Sequence, residues 1–332
     1  LIFVYLVLAA MATVFAAIKL SSYADVISGK TKMGGLLVGT LLLAGATSLP
    51  EVTTSISAVA IGNPDIAIGN MLGSNLFNLF ILASFDLYFR KNKLYQWGGR
   101  NHVFTAGLGL LLTLLTMVSL VLRIDYTVLG VGIDSLVIAL AYIVGIYLMG
   151  KLPADNSVRS TGSSSQDARE ETSDGNITVK HAVIGFIVAA IFIMAAGSVL
   201  SITGDRIAVI TGLGSSFVGS FLIAATTSLP EAVSVFIALR LKNIDMALGS
   251  ILGSNMFNML IIAGSDAVYR NGSILADVSS SHLVTALGVA ILSLFLIQAL
   301  TRKEAKSAFN YSFPSLLIII GYFLTSYLIF IG

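Results

Sequence analysis

The chain alternates long apolar runs with short polar clusters, and the runs have the length of membrane spans. An α-helix rises 1.5 Å per residue, so about 20 apolar residues cross a hydrocarbon core. Ten such runs stand at residues 1–20, 34–61, 66–89, 102–122, 127–150, 181–200, 214–240, 246–269, 281–301 and 312–331. The pattern predicts an all-α membrane protein with ten transmembrane helices. Polar residues inside the runs are sparse, and they concentrate in the second, third, seventh and eighth.

Those polar positions repeat. Thr47-Ser48-Leu49-Pro50-Glu51 returns 180 residues later as Thr227-Ser228-Leu229-Pro230-Glu231. Gly73-Ser74-Asn75, followed by Phe77-Asn78, returns at the same offset as Gly253-Ser254-Asn255 and Phe257-Asn258. Aligned without a gap, residues 34–90 and 214–270 are identical at 25 of 57 positions. A proline and a carboxylate inside an apolar run are costly. Their duplication at matched places points to one ion or substrate site shared between two halves, residues 1–150 and 181–332.

Composition agrees with a membrane protein: of 332 residues, 56% are hydrophobic and 11% charged, against about 25% charged in soluble domains. The placement of the charge adds an orientation. Of 19 Lys and Arg residues, 16 fall in the loops near 19–33, 90–101, 151–180, 240–245 and 302–311, leaving Arg123, Arg206 and Arg270 for the other side. The positive-inside rule then puts both termini outside and the 151–180 segment in the cytoplasm. Five spans per half is an odd number, so the second half enters from the opposite face. The expected architecture is two inverted five-helix repeats whose motifs meet near the midplane. Residues 151–180, rich in Ser, Asp, Glu and Arg, read as a flexible cytoplasmic linker. The absence of cysteine excludes disulfides and thiolate metal sites.

Within the second and seventh helices, Pro50 and Pro230 lack an amide hydrogen, so a break is expected around Ala46–Pro50 and its counterpart, freeing backbone carbonyls. Glu51 and Glu231 follow at the start of a half-helix, where the dipole favours an ionised carboxylate. Thr47, Ser48, Thr227 and Ser228 add hydroxyls. In the third helix Asn70, Ser74 and Asn78 share one face, matched by Ser250, Ser254 and Asn258 in the eighth. Gly69 and Gly73, with Gly249 and Gly253, read as close-packing positions. Asn75 and Asn255 point off that face and are expected to bond the opened backbone of the second and seventh helices. Two carboxylates give up to four oxygens and two freed carbonyls near Thr47 and Thr227 bring six, which suits Ca²⁺; hydroxyls and carbonyls suit Na⁺ equally. Mg²⁺ sheds water too reluctantly, and no His or Cys supports a softer metal.

The duplicated Thr-Ser-Leu-Pro-Glu and Gly-Ser-Asn-x-Phe-Asn pair resembles the two alpha-repeats of the calcium/cation antiporter superfamily, and is most similar to the prokaryotic sodium/calcium exchangers. The likeness covers essentially the whole chain. It implies alternating access, with Ca²⁺ between Glu51 and Glu231 and carbonyls of Thr47 and Thr227. It implies Na⁺ at the same residues and at Ala44, Ser48, Ser74, Ala224, Ser228 and Ser254, with Asn78 a central polar position. The partner position is often Asp in relatives and here is Asn258, which weakens any case for potassium dependence. The resemblance also implies that the first and sixth helices move across a more fixed bundle.

The remaining polar residues carry blander expectations. Asp86 and Asp266 stand four residues before Arg90 and Arg270 and read as interfacial ion pairs, with a cation-attracting vestibule as the sharper reading. Asp65 and Asp245 read as helix caps. Asp134 reads as a snorkelling or locally bonded residue. His102, His181 and His282 sit at helix starts and are assigned no role. The expected function is sodium/calcium antiport in a prokaryotic plasma membrane, without cofactor or nucleic-acid partner, by a chain sufficient as a monomer. A proton-coupled or other divalent exchanger is the near rival. A cation channel is the rival of another class, and no nucleophile–base set supports an enzyme.

Overall fold

The computed structural model describes residues 2–30, 42–90, 93–97, 99–151, 178–212, 214–302 and 307–331. Helix α1 spans Ile2–Lys30; α2 spans Ala44–Thr47 and α3 Leu49–Ala60; α4 spans Pro64–Tyr88. A short α5 (Leu94–Trp97) precedes α6 (Arg100–Leu122), a two-stranded hairpin β1 (Thr127–Val128) and β2 (Val131–Gly132), and α7 (Ile133–Gly150). The second half runs α8 (Val179–Thr211), α9 (Ser215–Phe217), a π-helical Val218–Ile223, α10 (Ala224–Thr227), α11 (Leu229–Arg240) and α12 (Ile244–Val268). It ends with α13 (Ile274–Asp277), α14 (His282–Thr301) and α15 (Ala308–Ile331).

Among the described residues nine helices are long and apolar enough to span a membrane. The span expected at 34–61 is described only from Leu42 onward, and the linker at 151–180 lies, apart from its ends, outside the described residues. Exposed Phe15, Leu140, Phe192 and Ile320 face outward from the bundle. Such an apolar exterior fits a lipid surround.

Two helices occupy the centre. In both α4 and α12, 89% of the span is buried, against 28% in α1 and 33% in α8. Both central helices start alike. Asn63 accepts from Ile66 N–H and Asn243 from Met246 N–H, so these asparagines are the N-caps. The caps expected at Asp65 and Asp245 are thereby corrected: the side chain two residues earlier is the one within reach of the free amides. Leu76, Leu79, Leu82, Ile251 and Leu252 join Leu20, Leu43 and Ile193 in one core cluster. Ile66, Met71, Met256 and Met259 join Leu112 and Ile138 in a second.

In lipid, helices associate through close packing rather than burial from water. Gly69 and Gly73 supply it. A Cβ on Gly69 would stand 3.0 Å from Ser216 O, and one on Gly73 would overlap the Ser220 backbone of the π-helical segment. Facing them, a Cβ on Gly219 would lie 2.9 Å from Ile66 O. Outside this core α1 and α8 pack along each other, and α8 crosses α3 where a Cβ on Gly197 would meet Pro50 Cα at 2.7 Å.

Several boundaries depart from the pattern. The first and sixth helices run well past residues 20 and 200. The hydroxyls that resemble loop residues bond back to their own helix, Ser22 to Ile18 O at 2.9 Å and Thr203 to Val199 O at 2.8 Å, so the helix continues. The fifth span is shorter than 127–150, because residues 127–132 form the hairpin. Leu129 and Gly130 both take positive φ, as a tight primed turn requires.

Candidate cation site

The site is built where α2 passes into α3 and α10 into α11. The interruption expected around Ala46–Pro50 is confined to one residue. Ser48 takes φ −83° and ψ 7°, while Ser48 N–H still reaches Ala44 O and Val52 N–H still reaches Ser48 O, each at 3.0 Å. Ser228 repeats this at φ −84° and ψ 5°. Pro50 and Pro230 sit in the first turn, where a missing N–H costs least, and Glu51 and Glu231 follow in the same turn. A serine before a helix ordinarily caps it. Neither does so here: Ser48 Oγ donates to Glu231 Oε1 at 3.1 Å and Ser228 Oγ to Glu51 Oε1 at 3.3 Å. Each half thus spends its cap on the other half's carboxylate.

The central helices complete the arrangement. Ser74 Oγ reaches Glu51 Oε1 and Ser254 Oγ reaches Glu231 Oε1, both at 3.4 Å. Ser254 also lies 3.2 Å from Ser48 Oγ and 3.5 Å from Ala44 O, and Ser74 lies 3.5 Å from Thr227 Oγ1. Thr47 and Thr227 turn their hydroxyls back to carbonyls of their own helix, and Thr227 also donates to Asn70 Oδ1 at 3.1 Å. All twelve residues singled out in the sequence, Ala44, Thr47, Ser48, Glu51, Ser74, Asn78, Ala224, Thr227, Ser228, Glu231, Ser254 and Asn258, are buried. The bonds link Glu51, Ser74, Thr227 and Ser228 into one group, and Ala44, Ser48, Glu231 and Ser254 into another. Ala224 meets Thr227 only through its carbonyl, at 3.3 Å. Thr47 Oγ1 donates to Leu43 O at 3.0 Å, and Asn78 and Asn258 bond the asparagines of the opposite half.

Glu51 Oε2 and Glu231 Oε2 are buried and find no hydrogen-bond partner among the described residues. Among the described residues no Lys or Arg lies within ion-pair distance of either; the ion pairs found are His102–Asp245 and His282–Asp65. A carboxylate held away from water costs several kcal/mol unless a counter-charge or a proton compensates. Two such groups, bridged across the halves by serines, make a candidate site for positive charge, built of oxygen. No cluster of three or more His, Cys, Asp or Glu occurs among the described residues, so nothing here offers a softer donor set.

The profile of the sodium/calcium exchanger protein family matches residues 1–151 and 181–332. The chain belongs to this family. It is 26% identical over 270 residues to the inner membrane protein YrbG of Escherichia coli (strain K12), covering 81% of this chain and 80% of that one. Over 124 residues it is 32% identical to the human (Homo sapiens) sodium/potassium/calcium exchanger 5, covering 34% and 24% of the two chains. A solved structure of the sodium-calcium exchanger NCX_Mj matches over 97% of both chains with a TM-score of 0.63 at 20% identity, which establishes a shared fold. This member of the exchanger family is therefore a membrane protein, helical among the described residues apart from the β1–β2 hairpin, with the fold of that exchanger.

Other polar residues of this exchanger-family chain behave differently from their sequence reading. Asp86 and Asp266 do not pair with Arg90 and Arg270. Both are buried: Asp86 accepts from Tyr311 Oη and Ser315 Oγ of α15, and Asp266 from Gly132 N–H at 2.6 Å and Ile274 N–H at 2.7 Å. Hydroxyls and amides satisfy these carboxylates from inside the bundle, so neither turns outward to its arginine. Asp134 accepts locally from Ser135 N–H and also, across the halves, from Ser273 Oγ. Asn75 and Asn255 do not bond the second and seventh helices; they bond each other's half. Asn75 Nδ2 donates to Asn255 O at 3.0 Å, Asn78 Nδ2 to Asn255 Oδ1 and Asn258 Nδ2 to Asn75 Oδ1, both at 2.9 Å.

His102 and His282, assigned no role from sequence, join the halves. His282 Nε2 meets Asp65 Oδ1 at 2.9 Å, and His102 Nε2 meets Asp245 Oδ1 at 3.0 Å. The signal was present, since the histidines are 180 residues apart, as are the aspartates. Reciprocal contacts of this kind relate the halves as a two-fold axis relates subunits of a dimer.

Proposed function

We propose that the protein is a secondary antiporter exchanging Na⁺ for Ca²⁺ by alternating access. Calcium binds between Glu51 and Glu231 with carbonyls of Thr47 and Thr227. Sodium competes for overlapping oxygens that extend to Ser48, Ser228, Ser74, Ser254, Asn78, Asn258 and the backbones of Ala44 and Ala224. The observation that carries this reading is the pair of buried glutamates, each bonded by the opposite half's serine and neither given a basic partner. Two carboxylates balance one divalent ion, and Ca²⁺ accepts six to eight oxygens in a flexible shell. The named relatives support the choice of ions, since one carries sodium, potassium and calcium in its name and another sodium and calcium.

In this reading the Ser48 and Ser228 interruptions are the helix breaks near the midplane. The halves 1–150 and 181–332 are inverted, both termini are outside, and the segment 151–180 links them in the cytoplasm of a prokaryote. Protons would also neutralise the glutamates, and a proton-coupled exchanger is the second reading that the unpartnered Oε2 atoms support.

Glu51→Gln and Glu231→Gln keep the shape and remove one charge each. Each variant is expected to insert normally and to lose calcium transport by at least 100-fold, read as radioactive calcium flux in proteoliposomes; charge-assisted ligands of this kind contribute several kcal/mol. Normal flux in either variant would remove that glutamate from the site.

A further inference from the structure

Asn75 and Asn255 stand outside the set of proposed ligands, yet they join the two central helices by hydrogen bonds. An asparagine amide presents a donor nitrogen on one side and an acceptor oxygen on the other. Which one faces a cation decides whether the residue attracts or repels it. Here the orientation follows from a backbone carbonyl. Asn255 O only accepts, so the Asn75 atom 3.0 Å from it is the nitrogen. The remaining Asn75 atom is then the oxygen, and the Asn258 atom 2.9 Å from it is a nitrogen. Asn258 Oδ1 is left as a buried acceptor without a partner. The other half repeats the chain of bonds: Asn255 Nδ2 donates to Asn75 O at 3.5 Å, Asn78 Nδ2 donates to Asn255 Oδ1 at 2.9 Å, and Asn78 Oδ1 is left unpartnered.

We propose that Asn75 and Asn255 are positioning residues that lock the Asn258 and Asn78 amides with their oxygens free for the transported cation. This rests on the cation-site reading above and adds the residues that make two neutral amides behave as oxygen ligands. Asn78 and Asn258 lie one helical turn beyond Ser74 and Ser254, which bond the glutamates, so their oxygens share the face of the site. Leaving a buried amide nitrogen without its acceptor costs enough to hold it in one flip. The lock is exchanged between halves, so each amide is oriented by the half opposite its own. A carboxylate at the same position needs no such device, because both its atoms are oxygens.

That difference supplies the test. The calcium Kd of purified protein is measured in a cycle of wild type, Asn75→Leu, Asn258→Asp and the double variant. With Asn258 present, Asn75→Leu is expected to weaken calcium roughly tenfold, the effect of one lost charge-assisted contact. With Asp at 258, the same Asn75→Leu change is expected to shift Kd by less than about twofold, because the cycle's coupling should absorb the loss. An equal loss in both backgrounds would make Asn75 a packing residue and overturn the proposal, as would no loss in either. Wild-type protein that binds neither calcium nor sodium would instead overturn the cation-site reading, and this inference with it. If Asn75→Leu does not fold, Asn75→Ala removes the same two bonds with less bulk, and Asn255 with Asn78 repeats the cycle in the other half.

Discussion

Glu51 and Glu231 stand at matching places in two sequence repeats, and the fold brings each carboxylate to the opposite half's serine. Ser48 and Ser228 were legible as oxygen sources, but not as donors to the opposite carboxylate. A serine ahead of a helix reads as a cap, and only the fold shows what else lies within 3.3 Å. Asn75 and Asn255 were misread for a related reason. They lie off the Ser74–Asn78 face, and what lies on their side is the other central helix, which periodicity within one helix does not reveal. Asn258 is buried, and its Oδ1 finds no hydrogen-bond partner among the described residues. Asn258→Asp adds a charge beside the proposed ions. Calcium and sodium transport are expected to change in relative preference by about tenfold, as a single charged contact allows. An unchanged ion profile would remove Asn258 from the shell.

Among the elements, the two central helices were placed to within two residues, because long apolar segments bounded by polar residues leave little choice. The outer helices α1 and α8 were cut short, since Ser22 and Thr203 satisfy themselves within the helix rather than ending it. The β1–β2 hairpin was read as helix because Leu129-Gly130 is a weak turn signal inside an apolar stretch. Packing at this scale depends on glycine in a specific way. Gly73 faces the Ser220 backbone, whereas a Cβ on Gly107 in α6 meets nothing within 4 Å. Gly73→Ala is expected to destabilise by about 1–3 kcal/mol, read as a fall in thermal unfolding temperature in detergent. Gly107→Ala should be neutral or stabilising by a few tenths of a kcal/mol, roughly the helix-propensity gain of alanine less any local adjustment. Equal effects at both positions would mean that α4 does not rely on the close approach.

Across the whole molecule, the two-fold exchange of bonds joins the halves at three levels: the glutamates, the asparagines, and the Asp65–His282 and Asp245–His102 pairs. In the proposed inverted arrangement such an axis lies in the membrane plane, and the two histidine pairs then fall on opposite faces. The chain has no cysteine, so single introduced cysteines report topology directly. Ser163→Cys is expected to label from the cytoplasm and Asn271→Cys from outside; labelling of both from one side would break the inverted arrangement. Deleting most of residues 155–175 should leave basic exchange within about twofold of wild type, as the proposed reading of this segment as a connection alone requires.

Sodium-driven calcium movement tests the central claim most directly. Proteoliposomes loaded with sodium, and diluted into sodium-free medium with radioactive calcium, should accumulate calcium well above vesicles with equal sodium on both sides, and an imposed pH gradient should not substitute. Uptake driven by the pH gradient alone would retain the two-glutamate site but contradict sodium as the coupling ion. Uptake under neither gradient would contradict calcium as the cargo.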